Sequence, residues 1–202
     1  EREGRGPTYG RAPLPLIVGA EGAGTVLRGA GEFSEGDRVG WVAAPGTYAE
    51  RVLVNAADAV PLPDEVSSEL AAAVLLQGMT AHYLCTSTYA VQPGDDVLLL
   101  AAAGGVGLLL TQMVKMRGGR VIAVASTDEK RELAREAGAD ETIGYERFSE
   151  RARELTGGTG VAVVYDSVGA TTFEAGLDAL RPRGMMVLYG QSSGPAPAFD
   201  PQ

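Results

Sequence analysis

The fold of this chain is decided by the stretch Val97-Leu98-Leu99-Leu100-Ala101-Ala102-Ala103-Gly104-Gly105-Val106-Gly107. Its first five residues are all apolar, which predicts a parallel β-strand covered on both faces. A glycine-rich turn follows directly, and residues Val106–Arg117 then carry a helical pattern that stops at Gly118. A strand, a glycine-rich turn and a helix in this order predict a dinucleotide-binding unit.

The glycine-rich turn departs from the usual G-x-G-x-x-G fingerprint at one position. Ala102 replaces the first glycine, whereas Gly104 and Gly107 occupy the second and third places. The second glycine lets the backbone approach a pyrophosphate, the third allows close packing of the helix on the strand, and N–H groups at the helix start bind phosphate oxygens. Such a turn also occurs as a packing turn in other α/β domains, so the motif alone leaves both interpretations open.

The remainder of the second half alternates between strands and helices. Four further strands are predicted, namely Val121–Ala125, Glu141–Ile143, Val161–Asp166 and Met185–Tyr189. Helices are predicted from the capping box Ser126-Thr127-Asp128-Glu129 to Gly138, over Ser149–Thr156, and through Phe173, Leu177 and Leu180 on one helical face. Five βα alternations with short connections predict a Rossmann α/β fold with a doubly wound parallel sheet.

The first half of the chain has a different pattern. Short strands are predicted at Ala23–Leu27, Arg38–Val42 and Thr47–Val54, which is typical of a small barrel or sandwich. Two helices are predicted after them, one over Glu69–Leu76 and one from Met79. The chain starts at Glu1 within a Gly/Pro-rich stretch, so we expect it to be a fragment that lacks an upstream segment.

Composition argues against several kinds of partner. The formal net charge of −9 disfavours nucleic acid and anionic membranes, so an anionic ligand needs local donors. No apolar run approaches the roughly 20 residues that span a bilayer. Cys85 is the single cysteine, which excludes an internal disulfide and a Cys-rich zinc site. These features predict a cytoplasmic protein without membrane or nucleic-acid partners.

The end of the second predicted strand bears on the choice of cofactor. An NAD site usually carries an Asp or Glu there, whereas this strand ends in Ala125-Ser126-Thr127. Ser126 can donate a hydrogen bond and Lys130 can supply charge to a 2′-phosphate, so the sequence favours NADPH. The alternative is that Lys130 is only a solvated helix residue.

Several motifs together resemble a known family. They are Leu76–Tyr83, Thr88–Val91, Pro93–Asp95, Ala101–Gly107, Val164–Gly169 and Leu180–Gly184. Over essentially all 202 residues the chain resembles the NADPH-dependent quinone oxidoreductases related to zeta-crystallin, zinc-free members of the medium-chain dehydrogenase/reductase superfamily. The resemblance implies a partial GroES-like β-rich catalytic domain over residues 1–76. It also implies a Rossmann dinucleotide-binding domain over residues 77–202, incomplete at its C-terminal end.

The resemblance also implies a set of site residues. The pyrophosphate would be held by Gly105 and Val106, within the Gly104–Gly107 turn, and the 2′-phosphate would be surrounded by Ser126, Lys130 and Tyr145. The ribose and nicotinamide sides would be lined by Ser167, Gly190, Gln191 and Ser192. Beneath the nicotinamide would lie Thr80 and Tyr83. Tyr9 falls where the family has a tyrosine near the substrate pocket; the alternative is an ordinary aromatic residue in a Gly/Pro loop. Tyr9 and Thr80 are the candidate catalytic residues.

No metal is expected. The segment Gly19–Gly24 resembles the Gly-His-Glu segment of the superfamily, but Ala20 stands where zinc-dependent relatives have the histidine ligand. His82, the single histidine, could come near the nicotinamide, or it could be an ordinary packed or solvent-exposed side chain.

These features predict a reaction and leave two alternatives. The prediction is an oxidoreductase that transfers a hydride from NADPH to a quinone or an α,β-unsaturated carbonyl compound without zinc. The alternatives are a non-catalytic NADPH-binding protein and a truncated fragment that lacks a complete substrate pocket. The resemblance implies a sixth strand that pairs across a homodimer in the full-length protein, and we expect that strand to lie outside these 202 residues.

Overall fold

The computed structural model describes residues 15–198. The chain divides into two units, residues 1–79 and residues 80–202, and the division falls inside a helix. Each unit is built around its own sheet.

The second unit contains a five-stranded parallel sheet. Its strands are β4 (Asp96–Leu100), β5 (Arg120–Val124), β6 (Glu141–Ile143), β7 (Val161–Asp166) and β8 (Leu180–Leu188). They lie in the order β6-β5-β4-β7-β8, with every neighbouring pair parallel. The connecting helices are α2 (Gly105–Met116), α3 (Asp128–Glu136), α4 (Phe148–Leu155) and α5 (Phe173–Ala179). The sheet therefore runs outward in both directions from β4, and the predicted doubly wound fold is confirmed.

The apolar run of β4 explains why this strand lies at the centre of the sheet. Residues 97–100 are all completely buried. Val97 and Leu99 pack into one core cluster with Leu110 of α2, whereas Leu98 and Leu100 pack into a second cluster with residues of α4. Because helices cover both faces, burial stabilises each of these side chains by roughly 1.5–3 kcal/mol.

The start of α3 differs from the prediction by one residue. Thr127, not Ser126, is the N-cap, and its side-chain oxygen accepts a hydrogen bond from the Lys130 N–H at 3.3 Å. The Ala125 N–H still donates to the carbonyl of Ile143 in β6, so the chain stays with the sheet up to this residue. The first helical turn therefore begins later, and the predicted capping box was wrong.

Two helix predictions also need correction. Residues Ser68–Tyr83 form one continuous helix, α1, and not two, because Gly78 is tolerated in its interior at a cost of about 1 kcal/mol. The helix passes into a π-turn at Leu84–Thr88. Leu180 is not the last residue of a helical face, since α5 ends at Ala179 and Leu180 begins β8.

The first unit contains a three-stranded antiparallel sheet. Its strands are β1 (Gly22–Thr25), β2 (Arg38–Trp41) and β3 (Ala59–Pro61), in that order. The predicted strand Thr47–Val54 was wrong. Val52 and Val54 pack against the core of the first unit, whereas Tyr48 and Leu53 are largely exposed, and the segment does not form a strand.

The helices of residues 15–198 include none that is both long and apolar enough to cross a membrane.

Candidate functional site

The predicted nucleotide contacts of the second unit gather at one edge of its sheet. The glycine-rich turn follows β4, Ser126 follows β5, Tyr145 follows β6 and Ser167 follows β7. The segment Gly190–Ser192 follows β8. Since all five strands are parallel, their carboxyl ends share this edge, which is where open α/β sheets bind ligands.

The turn after β4 presents a helix start without a side-chain cap. Gly104 is the N-cap of α2 and has no side chain that could accept from the first-turn N–H groups. Its N–H donates to the Ala101 carbonyl at 2.9 Å, which closes the turn. The first N–H groups of a helix have no partner within the helix, and the helix dipole makes this end positive. The turn can therefore bind an anionic group through its backbone.

Gly107 brings α2 close to the end of β4. A Cβ atom at this position would lie 2.5 Å from the Ala102 carbonyl oxygen and 2.7 Å from that of Ala101. Both atoms belong to the backbone and cannot rotate away. This agrees with the role in helix–strand packing predicted for the third glycine.

Ser126 and Lys130 are exposed beside the end of β5. Sequence reasoning missed Arg131, whose guanidinium donates to the Ala125 carbonyl at 3.0 Å and pairs with Asp128. Only 23% of the Arg131 side chain is exposed. This ion pair compensates the negative charge of Asp128, the first acidic residue after the strand. The three-residue spacing of Asp128 and Arg131 was the signal in the sequence.

Tyr145 contacts the glycine-rich turn Ala101–Gly107, which we call the phosphate turn. Its hydroxyl oxygen accepts a hydrogen bond from the Ala101 N–H at 3.0 Å, and its ring meets Phe148 edge-on with centroids 6.5 Å apart. Burial raises the pKa of Tyr145, so the side chain stays neutral.

A buried carboxylate organises the loop after β7. Asp166 is completely buried, and it accepts hydrogen bonds from Val168 N–H (2.6 Å), Gly169 N–H (3.1 Å) and the Thr172 hydroxyl (2.8 Å). These bonds hold the backbone on the C-terminal side of Ser167. Asp166 lies in the Val164–Gly169 motif, but this role was not predicted from the sequence.

The loop after β8 packs on the loop after β7. Ser192 N–H donates to the Ser167 carbonyl at 3.1 Å, and a Cβ atom on Gly190 would lie 2.8 Å from that same oxygen. Gln191 and Ser192 are exposed. The structure thus brings Ser167 and the Gly190–Ser192 segment together.

Tyr189 was not predicted as a site residue, and the structure places it among three that were. Burial raises its pKa, while a hydrogen bond with the Ser167 side chain lowers it; the nearby Asp166, Tyr145 and Tyr83 also raise it. A tyrosine directly before the Gly190 segment was the available signal. Tyr189 therefore lies near Tyr145 and Tyr83 and forms a hydrogen bond with Ser167.

The remaining predicted residues lie on α1 or outside the described residues. Thr80 is partly buried in the last turns of α1, and Tyr83 at its end is 46% exposed. His82 is exposed, and its carbonyl accepts the Thr86 hydroxyl at 2.6 Å. Tyr9 lies outside the described residues.

Two family models match this chain. The alcohol dehydrogenase GroES-like domain matches residues 3–64, and the zinc-binding dehydrogenase domain matches residues 105–202. The residues that the structure describes do not fit zinc. Ala20 offers no ligand atom, and nowhere between residues 15 and 198 do three His, Cys, Asp or Glu side chains group as metal ligands.

Relatives are similar over nearly the whole chain. The quinone oxidoreductase of Pseudomonas aeruginosa is 44% identical over 197 residues, which are 95% of this chain and 61% of that protein. The 2-haloacrylate reductase of a Burkholderia species is 43% identical over 206 residues, covering 94% and 62% of the two chains. This chain therefore spans about three fifths of the length of these relatives.

Solved structures agree with these relatives. A mycobacterial protein in complex with NADPH superposes with a TM-score of 0.90 at 49% identity, over 96% of this chain and 62% of its own. Escherichia coli quinone oxidoreductase in complex with NADPH superposes with a TM-score of 0.91 at 40% identity, over 98% and 62%. The chain belongs to the quinone oxidoreductase family of the medium-chain dehydrogenase/reductase superfamily.

Proposed function

We propose that this protein is an NADPH:quinone reductase-type oxidoreductase that transfers a hydride to a quinone or an α,β-unsaturated carbonyl compound without zinc. The observation that carries the proposal is the uncapped helix start at Gly104, which lies at the same sheet edge as Ser126 and Lys130. Relatives named quinone oxidoreductase and 2-haloacrylate reductase, and neighbours solved with NADPH, support the substrate class and the cofactor.

In this proposal the backbone binds the diphosphate. The N–H groups of Gly105 and Val106, in the first turn of α2, would donate to its oxygens, and the positive end of the helix dipole would add to the attraction. Such local donors are needed because the net charge of the chain is −9.

The extra phosphate of NADPH would lie beside α3. Ser126 would donate a hydrogen bond to it, Lys130 would supply a positive charge, and Tyr145 would also contact it. The pairing of Asp128 with Arg131 supports this placement, because it reduces the repulsion of a second anion near Ser126.

The nicotinamide end would be held by residues of three segments. Ser167 and the Gly190–Ser192 segment would line the ribose and the ring, while Thr80 and Tyr83 would support the ring from α1. When bound, NADPH supplies the hydride from its C4 carbon. Thr80 would orient the reacting face, and Tyr9 would border the substrate. We further propose a cytoplasmic location and a homodimer for the whole protein.

The cofactor assignment is tested by paired titrations with NADPH and NADH. Lys130→Gln is expected to weaken NADPH binding about tenfold and to leave NADH binding unchanged, because a charge-assisted hydrogen bond to phosphate contributes roughly 1.5–3 kcal/mol. Arg135→Gln is the matched control. It removes a cation from the last turn of the same helix, where Arg135 pairs with Glu132 on the surface, so both affinities should stay as in the wild type. Equal binding of NADPH by Lys130→Gln and wild type would contradict the assignment.

The reaction is tested by NADPH consumption. The whole protein is expected to oxidise NADPH in the presence of a quinone or an enone. The reaction is measured as the loss of absorbance of the reduced nicotinamide. NADPH binding without turnover on a panel of both classes would indicate a non-catalytic binding protein. Failure of NADPH to raise the unfolding temperature would indicate a chain unable to bind it.

A further inference from the structure

We propose that Tyr145 is a positioning residue for the phosphate turn. Its hydroxyl holds the Ala101 backbone in a left-handed conformation, which directs the first N–H groups of α2 toward the diphosphate. The inference rests on the proposed nucleotide binding. If it is correct, Tyr145 contributes to the binding of every ligand that carries the diphosphate, and not only of a ligand with a 2′-phosphate.

Ala101 adopts a conformation that its side chain disfavours. Among residues 15–198, three residues other than glycine have a positive φ angle: Ala101 (+51°), Arg147 (+49°) and Arg183 (+63°). A left-handed backbone costs a residue with a Cβ atom about 1–2 kcal/mol. Both arginines are exposed, whereas Ala101 is partly buried at the end of the central strand.

The Ala101 backbone determines the path of the turn. Its carbonyl accepts the Gly104 N–H at 2.9 Å, and the next residue, Ala102, donates to Val124 of β5 at 3.1 Å. Gly104 is in turn the N-cap of α2. A rotation of the Ala101 backbone would therefore move the start of the helix and the N–H groups proposed to bind the diphosphate.

Tyr145 is well placed to prevent that rotation. Its hydroxyl oxygen is the acceptor for the Ala101 N–H at 3.0 Å. The ring is partly buried and packs against the core cluster on one face of the sheet, with Phe148 edge-on to it. A fixed ring makes a fixed acceptor, because little side-chain freedom remains to be lost. The bond joins the ends of β4 and β6, two strands that are separated in the sheet by β5.

A role in the turn and a role at the 2′-phosphate have different signatures. If Tyr145 acted only on the 2′-phosphate, its loss would weaken NADPH binding and spare NADH and ADP-ribose. If it holds the turn, its loss weakens the binding of all three, because all three carry the diphosphate.

The test is Tyr145→Phe, with dissociation constants for NADPH, NADH and ADP-ribose. Loss of one hydrogen bond is expected to weaken all three about three- to tenfold. Tyr165→Phe is the matched control, because the buried Tyr165 hydroxyl donates to Leu84 at 3.0 Å, away from the turn. This control should lower the unfolding temperature and leave all three dissociation constants unchanged.

A rescue variant separates positioning from direct contact. Glycine adopts positive φ without a Cβ penalty, so Ala101→Gly in the Tyr145→Phe background should restore most of the lost NADH and ADP-ribose affinity. Unchanged NADH and ADP-ribose binding by Tyr145→Phe, or no rescue by Ala101→Gly, would overturn the inference.

Failure of the proposed function has a different result. A wild-type chain that binds none of the three ligands would refute nucleotide binding itself. The interaction between Tyr145 and Ala101 would then still be measured by a double-mutant cycle, in which the free energy of unfolding is compared for Tyr145→Phe, Ala101→Gly and the double variant. Additive effects of the two substitutions would overturn it, and coupled effects would support it.

Discussion

The substitution Gly107→Ala tests the close approach of α2 to the phosphate turn. The added methyl group would lie 2.5 Å from one backbone carbonyl oxygen and 2.7 Å from another, so the helix must shift. Forcing an extra carbon into a closely packed position costs about 1–3 kcal/mol, and backbone neighbours place this case at the upper end. Alanine gains about 1 kcal/mol over glycine in a helix, which leaves a net loss of about 2 kcal/mol.

Gly78→Ala is the matched control for this change. Gly78 lies inside α1, and a Cβ atom there meets no heavy atom within 4 Å. The same substitution should therefore stabilise the protein by about 1 kcal/mol through helix propensity alone. The two variants are expected to differ by about 3 kcal/mol in the free energy of unfolding.

The assay is urea denaturation of both variants, followed by NADPH titration. A shift of α2 also displaces the N–H groups of Gly105 and Val106, so Gly107→Ala should bind NADPH more weakly than Gly78→Ala. If the two variants were equally stable and bound NADPH equally well, the argument that Gly107 sets the helix against the turn would be wrong.

Three further outcomes follow from polar side chains that form hydrogen bonds in the fold. Asp166→Ala should lower the free energy of unfolding by roughly 3 kcal/mol, since it leaves the Val168 and Gly169 N–H groups without their acceptor and the Thr172 hydroxyl with only the Gly169 carbonyl. A loss below about 1 kcal/mol in urea denaturation would speak against this network. Tyr165→Phe should cost about 1–2 kcal/mol in thermal unfolding because the buried hydrogen bond from its hydroxyl to the Leu84 carbonyl is lost, although that carbonyl keeps the Tyr89 N–H as a donor; an unchanged midpoint would disprove the contribution of this bond. For Asp140, burial raises the pKa, but hydrogen bonds from Lys115 and a backbone N–H outweigh it and bring the pKa below the ordinary value of 3.8. The stabilisation by this carboxylate is therefore complete above that value and is lost as the pH falls through the lower folded-state pKa. Asp140→Asn should reduce the acid dependence of the unfolding midpoint. If the midpoints of Asp140→Asn and the wild type changed identically with pH, this prediction would be wrong.

The sheet was predictable where local pattern and tertiary environment agree. The apolar run of β4 is buried on both faces, and no other regular element accommodates such a run between two turns. Prediction failed where the local pattern was ambiguous. Gly78 resembles a helix end but lies inside α1, and the residues of Thr47–Val54 have the composition of a strand but do not form one, although Val52 and Val54 pack against the core. In both segments a local preference of about 1 kcal/mol is smaller than the effect of the surrounding packing.

The sequence by itself determined the doubly wound sheet, the glycine-rich turn and the absence of an acidic residue at the end of β5. Each depends on residues within one or two turns of one another, so short-range periodicity and spacing reveal them. Only the tertiary structure decided that the Tyr145 hydroxyl holds Ala101 and that the loop after β8 packs on the one organised by Asp166. These contacts join residues more than 20 positions apart, and they form because the order of the parallel strands brings their carboxyl ends to one edge.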